Sequence, residues 1–103
     1  MSQFTNVSVD TKANIYFDGK VTSHTITMQD NTTKTLGIML PGEYRFNTAA
    51  AEIMDMYSGE FEIKYKDSED FISLSTPTQF KVEANSYFDI KVKSITEYCC
   101  SYQ

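Results

Sequence analysis

The sequence predicts a single all-β domain, and three observations support this fold class. Short segments rich in β-branched and aromatic residues alternate with turns rich in Gly, Pro, Asn and Asp along almost the whole chain. The length of 103 residues fits one domain. The connections are too short to hold the helices that join parallel strands. These features indicate about nine short strands that form a sandwich or a barrel.

In the first half of the chain, strands are separated by polar turns. Residues 1–14 are polar and are interpreted as a tail or an edge strand, and the folded domain is predicted over residues 15–103. The segment ANIYF enters a turn in which Gly19 can adopt a positive φ. The β-branched segment KVTSHTITM follows as a strand. Further strands are predicted in KTLGIML and, after a Pro-Gly turn, in EYRFN.

The second half continues the same pattern. TAAAE is the only segment that favours a helix, and it is too short to form more than a turn. EFEIKYK alternates cleanly, which places Phe61, Ile63 and Tyr65 on one face of a strand. The remaining strands are predicted in IMDMYS, FISLS, QFKVE, YFDIKVKS and TEYCCSY, with Asn85 in a left-handed turn conformation.

The composition excludes several classes of function. The net charge is −5 and Arg45 is the single arginine, whereas nucleic-acid binding needs a basic surface that neutralises phosphates. No apolar run approaches the ~18 residues of a membrane span, and the amino terminus lacks the pattern of a signal peptide, so we expect a cytoplasmic protein that does not bind membranes. A small uncharged ligand is compatible with this composition.

The two cysteines, Cys99 and Cys100, are adjacent in the sequence. Adjacent cysteines rarely form a disulfide because the geometry is strained, and two cysteines do not make a disulfide framework. Neighbouring side chains of a strand point to opposite faces. We therefore predict that both are reduced and that they pack on opposite sides of one strand.

The stretch from Gly42 to Glu60 resembles the first cupin motif without its metal ligands. Glu52 and Gly59 match the glutamate and the glycine of that motif. The histidine places hold Phe46, Thr48 and Ala50, and the places of the second motif fall on Pro77, Glu83, Asn85 and Phe88. A zinc, iron or manganese site needs several converging donors, and Glu52 alone cannot supply them. We therefore expect no bound metal.

Several segments together resemble one family more closely. YFDGKVTS, LGIMLPGEYRFNTAAAEIMDMYSGE, FKVEANSYFDIKV and EYCCSY are similar to the small cupin-type pyrimidine/purine nucleoside phosphorylases, and the likeness runs from Tyr16 to Tyr102. The resemblance implies a cupin-like β-barrel or sandwich of the jelly-roll type. It also implies phosphorolysis of purine and pyrimidine nucleosides to the free base and α-D-ribose 1-phosphate. Inorganic phosphate would be the co-substrate, and no cofactor would be needed.

The expected site residues follow from this frame and from strand alternation. Tyr44 and Thr48 would face the interior from one strand and Glu52 from the next, so these three are the predicted catalytic residues. Glu52 would contact the ribose hydroxyls or stabilise the cationic sugar, or it would only bind the backbone of the TAAA turn. Tyr44 or Thr48 would donate a hydrogen bond to phosphate or to the base. The candidates for binding phosphate or substrate are Arg45, Lys20 and Ser86, although alternation directs Arg45 away from the interior.

Two alternatives to a metal-independent phosphorylase remain open on the sequence. One is a non-catalytic cupin that binds a sugar or another small ligand, and the other is a metal-dependent cupin, which the missing histidines disfavour. Small cupins commonly pair through sheet faces, so we expect a homodimer. Exposed Tyr98 and Tyr102 side chains on the last strand would fit such an interface.

Overall fold

The structure is a computed structural model that describes residues 3–103 as two antiparallel sheets enclosing one core. Eleven strands form the sheets among these residues: β1 Ser8–Val9, β2 Asn14–Tyr16, β3 Val21–Thr27, β4 Thr33–Met39, β5 Gly42–Asn47, β6 Glu52–Ser58, β7 Phe61–Tyr65, β8 Ile72–Leu74, β9 Thr78–Val82, β10 Tyr87–Val92 and β11 Thr96–Tyr102. The predicted all-β class is therefore confirmed. The described residues contain no helix that could cross a bilayer.

The larger sheet has seven strands, ordered β1-β3-β4-β11-β6-β9, with β2 also paired to β3. The smaller sheet has four strands in the order β5-β10-β7-β8. Strand β11 is central in the larger sheet because it pairs with β4 on one side and with β6 on the other. Strands that are distant in the sequence thus become neighbours, as expected for a jelly roll.

The core follows the alternation predicted from the sequence. On β7, Phe61 and Ile63 are buried, with at most 2% of their surface exposed, and on β10 the residues Phe88 and Ile90 are fully buried. Phe80 of the larger sheet contacts Phe88 of the smaller sheet edge to face, with ring centroids 5.4 Å apart. This aromatic contact between the sheets adds packing specificity to the apolar burial.

The segment before β3 lies along the larger sheet. Ser8 and Val9 pair with the end of β3, and Asn14–Tyr16 pair with its beginning. Asn14 donates hydrogen bonds to the hydroxyls of Ser23 and Thr25 at 3.3 and 3.2 Å. Part of the segment 1–14, for which the sequence predicts a tail or an edge strand, therefore forms a short strand in the structure.

The turn between β2 and β3 has an uncommon backbone. Phe17, Asp18 and Gly19 all have positive φ, at 51°, 56° and 89°. This conformation costs a non-glycine residue about 1–2 kcal/mol, and a bulky residue adopts it rarely. The Phe17 ring packs against Tyr44 and Phe46, with centroids 4.9 and 5.5 Å away, and this packing offsets the strain. The left-handed conformation predicted for Asn85 is also confirmed, with φ at 54°.

Gly59 directly follows β6 and lies close to the start of β11. Its φ is 106°, and a Cβ added there would lie 2.3 Å from Oγ1 of Thr96 and 2.8 Å from the carbonyl oxygen of Ile95. Thr96 is fully buried at the start of β11. The glycine is thus required both by its backbone conformation and by the space next to β11.

We expect Gly59→Ala to destabilise the protein more than Gly19→Ala does. Both glycines have a positive φ, but a Cβ at Gly19 would meet no atom within 4 Å. Gly19→Ala should therefore cost only the backbone strain of about 1–2 kcal/mol. Gly59→Ala adds a steric overlap that typically costs about 1–3 kcal/mol more. Urea unfolding of both variants measures the difference, and equal losses would show that Thr96 moves away without cost.

Candidate functional site

A cavity of about 230 Å³ opens between the two sheets. Its lining combines hydroxyl, amide, carboxyl and thiol groups with aromatic and methionine side chains. The lining residues are Tyr16, Ser23, Thr35, Met39, Phe46, Asn47, Glu52, Met54, Phe88, Tyr98, Cys100 and Tyr102. This mixture of an apolar wall with several polar groups is typical of a small-molecule site.

The register of β11 brings the polar residues of the cavity together. Tyr102 lies directly opposite Glu52 on β6, and Cys100 lies between Thr35 on β4 and Met54 on β6. Because every second residue of a strand faces the same side, Tyr98, Cys100 and Tyr102 all point to the interior. One strand therefore supplies three polar side chains to the cavity.

Among the described residues of the lining, Glu52 is the only acidic one, and it is about half buried. Cys100 donates a hydrogen bond from its thiol to Oε1 of Glu52, with the sulfur and oxygen 3.4 Å apart. Within residues 3–103, no Lys or Arg side chain lines the cavity. Burial therefore raises the pKa of Glu52, and the hydrogen bond from Cys100 opposes that rise only in part.

The two tyrosines of β11 keep their protons in this environment. Burial raises the pKa of Tyr98 and of Tyr102 to about 12. Burial also raises the pKa of the Cys100 thiol. At neutral pH the cavity therefore offers neutral O–H and S–H groups around one carboxyl group.

Tyr44 and Thr48 face the interior, as alternation predicted, but they do not line the cavity. The hydroxyl of Tyr44 donates to the carbonyl oxygen of Leu40 at 2.5 Å. The hydroxyl of Thr48 donates to the carbonyl oxygen of Glu83 at 2.6 Å. Each hydroxyl has one hydrogen to donate, and both hydrogens are already used within the fold. In this structure the two hydroxyls therefore donate within the fold and not into the cavity.

The phosphate-binding candidates lie in different places. Arg45 is on the outer face of the smaller sheet, where its Nε is 2.7 Å from Oδ1 of Asp89 and its guanidinium lies 4.1 Å from the ring centroid of Tyr87. The Ser86 backbone N–H donates to Oγ1 of Thr48 at 3.0 Å, so this group is not available to an anion. Lys20 is exposed and directly follows the Phe17–Gly19 turn, next to a strand that lines the cavity.

The cavity includes residues that sequence reasoning missed or interpreted differently. No local pattern marks Tyr16, Ser23, Thr35 and Asn47 as site residues, because their position becomes clear only when the strands are paired. The expectation that Tyr98 is exposed at an interface was wrong: this side chain is 5% exposed and lines the cavity. Tyr102 is 46% exposed, and it also lines the cavity.

The two cysteines behave as predicted. Both are free and buried. Cys100 lines the cavity, whereas Cys99 packs against Tyr57 on the other face of the larger sheet.

The residues at the cupin metal positions do not fit a metal ion. Phe46, Thr48 and Ala50 occupy the histidine places, and among them and Glu52 only the glutamate is a strong ligand. Within residues 3–103, no three His, Cys, Asp or Glu side chains form a cluster that could hold a metal ion.

A second hollow lies on the outer face of the larger sheet. Its volume is about 640 Å³, and its lining is mainly apolar: Phe4, Leu36, Gly37, Ile38, Tyr57 and Pro77, with Gln3 and Glu97. Leu36, Ile38 and Tyr57 are each more than a third exposed. The polar groups of the inner cavity are absent here, so this hollow resembles an interaction surface more than a site for chemistry.

Comparison with known proteins identifies close relatives over the full length of the chain. The family model described as pyrimidine/purine nucleoside phosphorylase matches residues 11–102. A pyrimidine/purine nucleoside phosphorylase from Sulfurimonas denitrificans is 59% identical over 102 residues, which cover 99% of this chain and 98% of the relative. Proteins of the same name from Geobacter sulfurreducens and Clostridioides difficile are 51% and 47% identical, with 98% and 97% of their length covered and 99% of this chain in both cases.

Solved structures show the same fold. A protein of unknown function from Acinetobacter sp. ADP1 superposes with a TM-score of 0.95 at 37% identity and covers 98% of both chains. The Fe(II) protein HppE matches with a TM-score of 0.71 over 89% of this chain and 55% of its own, at 11% identity, which is evidence for the fold alone. The cupin-like architecture is thus confirmed. Together with the family match over nearly the whole sequence, these findings show that the chain belongs to the pyrimidine/purine nucleoside phosphorylases, the family that its sequence resembles.

Proposed function

We propose that this nucleoside phosphorylase cleaves both purine and pyrimidine nucleosides in the inner cavity, and that it yields the free base and α-D-ribose 1-phosphate. An oxygen of phosphate forms a bond to C1′ of the ribose. The bond from C1′ to the base nitrogen breaks, and its electron pair leaves with the base, which then takes up a proton. The relatives that carry the family name and the polar cavity support this proposal.

The observation that carries the proposal is the half-buried Glu52 without a neighbouring cation in the cavity lining. Breaking a glycosidic bond places positive charge on the sugar in the transition state, as in glycoside hydrolysis. A desolvated carboxylate without a counter-charge interacts weakly with a neutral substrate and strongly with that developing cation. Such an interaction favours the transition state over the ground state, which is the requirement for catalysis.

The size of the cavity limits how a nucleoside can bind. A volume of about 230 Å³ is below the roughly 300–1,000 Å³ of pockets that enclose a whole drug-sized ligand. We infer that the ribose enters the cavity, where Glu52 and the hydroxyls of Tyr98 and Tyr102 are within its walls. The base then remains at the mouth of the cavity.

The test of the proposed function is phosphate-dependent release of base. The protein is incubated with uridine or adenosine, with and without inorganic phosphate, and free base and ribose 1-phosphate are measured. Release of both products only with phosphate supports the phosphorylase. Binding of the nucleoside without release supports the alternative of a non-catalytic ligand-binding cupin.

We expect Glu52→Gln to lower kcat by about 100-fold or more, because the amide cannot stabilise the cationic sugar as a carboxylate does. The matched control is Glu43→Gln, which removes a carboxylate whose side chain is 73% exposed and should leave kcat unchanged. Unchanged kcat in a folded Glu52→Gln variant would restrict Glu52 to a structural role.

The pH dependence of the free energy of unfolding reports on the buried carboxyl group of Glu52 independently of enzymatic activity. Folding raises the pKa of Glu52 above its ordinary value of 4.5 because the carboxyl group is desolvated. Protonated Glu52 therefore stabilises the folded state relative to ionised Glu52. This stabilisation is complete at pH below 4.5, and it is lost as the pH rises through the raised pKa. The free energy of unfolding of Glu52→Gln relative to wild type should therefore increase with pH, as measured by urea unfolding.

We propose that Lys20 attracts phosphate and that Arg45 does not. Lys20 makes no ion pair within the described part of the chain, whereas Asp89 and Tyr87 hold Arg45 on the outer face. Lys20→Ala should raise the KM for phosphate several-fold, and added salt should diminish the difference. Arg45→Ala removes the same charge and should leave that KM unchanged. A higher KM for phosphate in Arg45→Ala, with an unchanged KM in Lys20→Ala, would instead assign phosphate binding to the outer face of the smaller sheet.

We propose further that two chains pair through the hollow on the outer face of the larger sheet. Light scattering should then give twice the mass of one chain. Ile38→Asp places a charge in this apolar surface and should produce a monomer, whereas Ile72→Asp, on an exposed strand of the other sheet, should not. A wild-type mass equal to one chain would contradict the pairing.

A further inference from the structure

The turn that follows β2 lies at the edge of the cavity and has a backbone that the proposed function does not yet explain. Phe17 and Asp18 both adopt a left-handed backbone, although neither is a glycine. Strained backbone of this kind persists where surrounding contacts hold it, and it clusters at ligand sites. Here the contacts are those of the Phe17 ring with Tyr44 and with Phe46, which itself lines the cavity.

This turn fixes the position of the residue before it. Tyr16 has an extended backbone and is paired with Val21, so it ends β2 immediately before the turn. Asn14 shares its face and is held by two hydroxyl groups on β3, while Ile15 lies on the opposite face. Tyr16 therefore has a fixed strand on one side and a fixed turn on the other.

The side chain of Tyr16 reaches both the cavity and the protein surface. It lines the cavity, yet half of its surface is exposed. The neighbouring Phe17 ring is also 42% exposed. The mouth of a polar cavity is thus bordered by aromatic surface that the protein itself does not cover.

We propose that Tyr16 is the residue on which the nucleobase stacks. This inference rests on the proposed function, which places the ribose in the cavity and the base at its mouth. Both purines and pyrimidines present a flat π-face to an aromatic ring, so stacking tolerates a change of base. A site that recognised the base through buried hydrogen bonds would instead discriminate strongly between bases. Stacking on Tyr16 accordingly gives the site its broad base specificity.

The test compares three variants with adenosine and with uridine as substrates. Tyr16→Ala removes the ring and should raise the KM for both nucleosides by about 5- to 150-fold, the range that loss of one stacking contact produces. Tyr16→Phe keeps the ring and should remain within about threefold of wild type, since stacking does not need the hydroxyl. Ile15→Ala removes an exposed side chain from the opposite face of the same strand and should change neither KM. The KM for phosphate should be unaltered in all three variants.

Two outcomes would overturn the inference. One is a Tyr16→Ala variant whose KM values match those of Ile15→Ala. The other is a Tyr16→Phe variant as impaired as Tyr16→Ala, because the hydroxyl would then be the important group. Urea unfolding of each variant shows whether a loss comes from the fold instead.

A binding experiment keeps this inference separate from the proposed function. Adenine and uracil are titrated against the wild-type protein and against Tyr16→Ala by calorimetry, without phosphate. Binding of both bases that weakens in Tyr16→Ala supports stacking even if no nucleoside is cleaved. Equal binding by the two proteins rejects stacking even if phosphorolysis is observed.

Discussion

The pairing of β11 with both β4 and β6 is the interaction on which the rest of the structure depends. It joins the two parts of the larger sheet, and without it β6 and β9 would be separated from β3 and β4. The same pairing sets the register that directs Tyr98, Cys100 and Tyr102 to the interior. Stability and the cavity therefore have a common origin, and Gly59 permits it by leaving room for Thr96 at the start of β11.

The chemical character of the cavity depends on its polar groups and on the absence of a cationic partner for Glu52 among the described lining residues. An isolated carboxyl group among neutral donors is unfavourable for folding because burial opposes its charge. Cys100 supplies only a weak hydrogen bond to Glu52. Metal-dependent cupins use histidines at the positions that here hold Phe46 and Thr48, and these two residues direct aromatic surface and a turn-stabilising hydroxyl to the interior instead. The interior of this fold thus holds one carboxyl group and neutral donors where a metal-dependent cupin holds metal ligands.

Much of the fold could be predicted from local patterns. Alternation in EFEIKYK and YFDIKVKS predicts the buried faces of β7 and β10 correctly, because the residues on one side of each strand are aliphatic or aromatic. The outward direction of Arg45 followed from the same rule. The short strand at Ser8–Val9 has no comparable pattern, since both residues are exposed and are held only by backbone pairing with β3.

The site was less predictable, because it is built from long-range pairing. Glu52 could be selected from the motif that it shares with cupins, but Tyr102 lies opposite it only through the β6–β11 register. Tyr44 and Thr48 were correctly placed on the inner face, yet alternation does not show that a nearby carbonyl oxygen already accepts the hydrogen of each hydroxyl. The left-handed Phe17 is also invisible to propensity, because tertiary packing and not the local sequence stabilises it.

The central position of β11 has a consequence for how the protein is made. During synthesis, β4 and β6 leave the ribosome well before β11, and until then each presents an edge of unpaired N–H and C=O groups on the side that β11 will occupy. Open edges of this kind can pair with other nascent chains. Pairing of β11 covers both edges at once, so this single step removes two surfaces to which other chains could add strands.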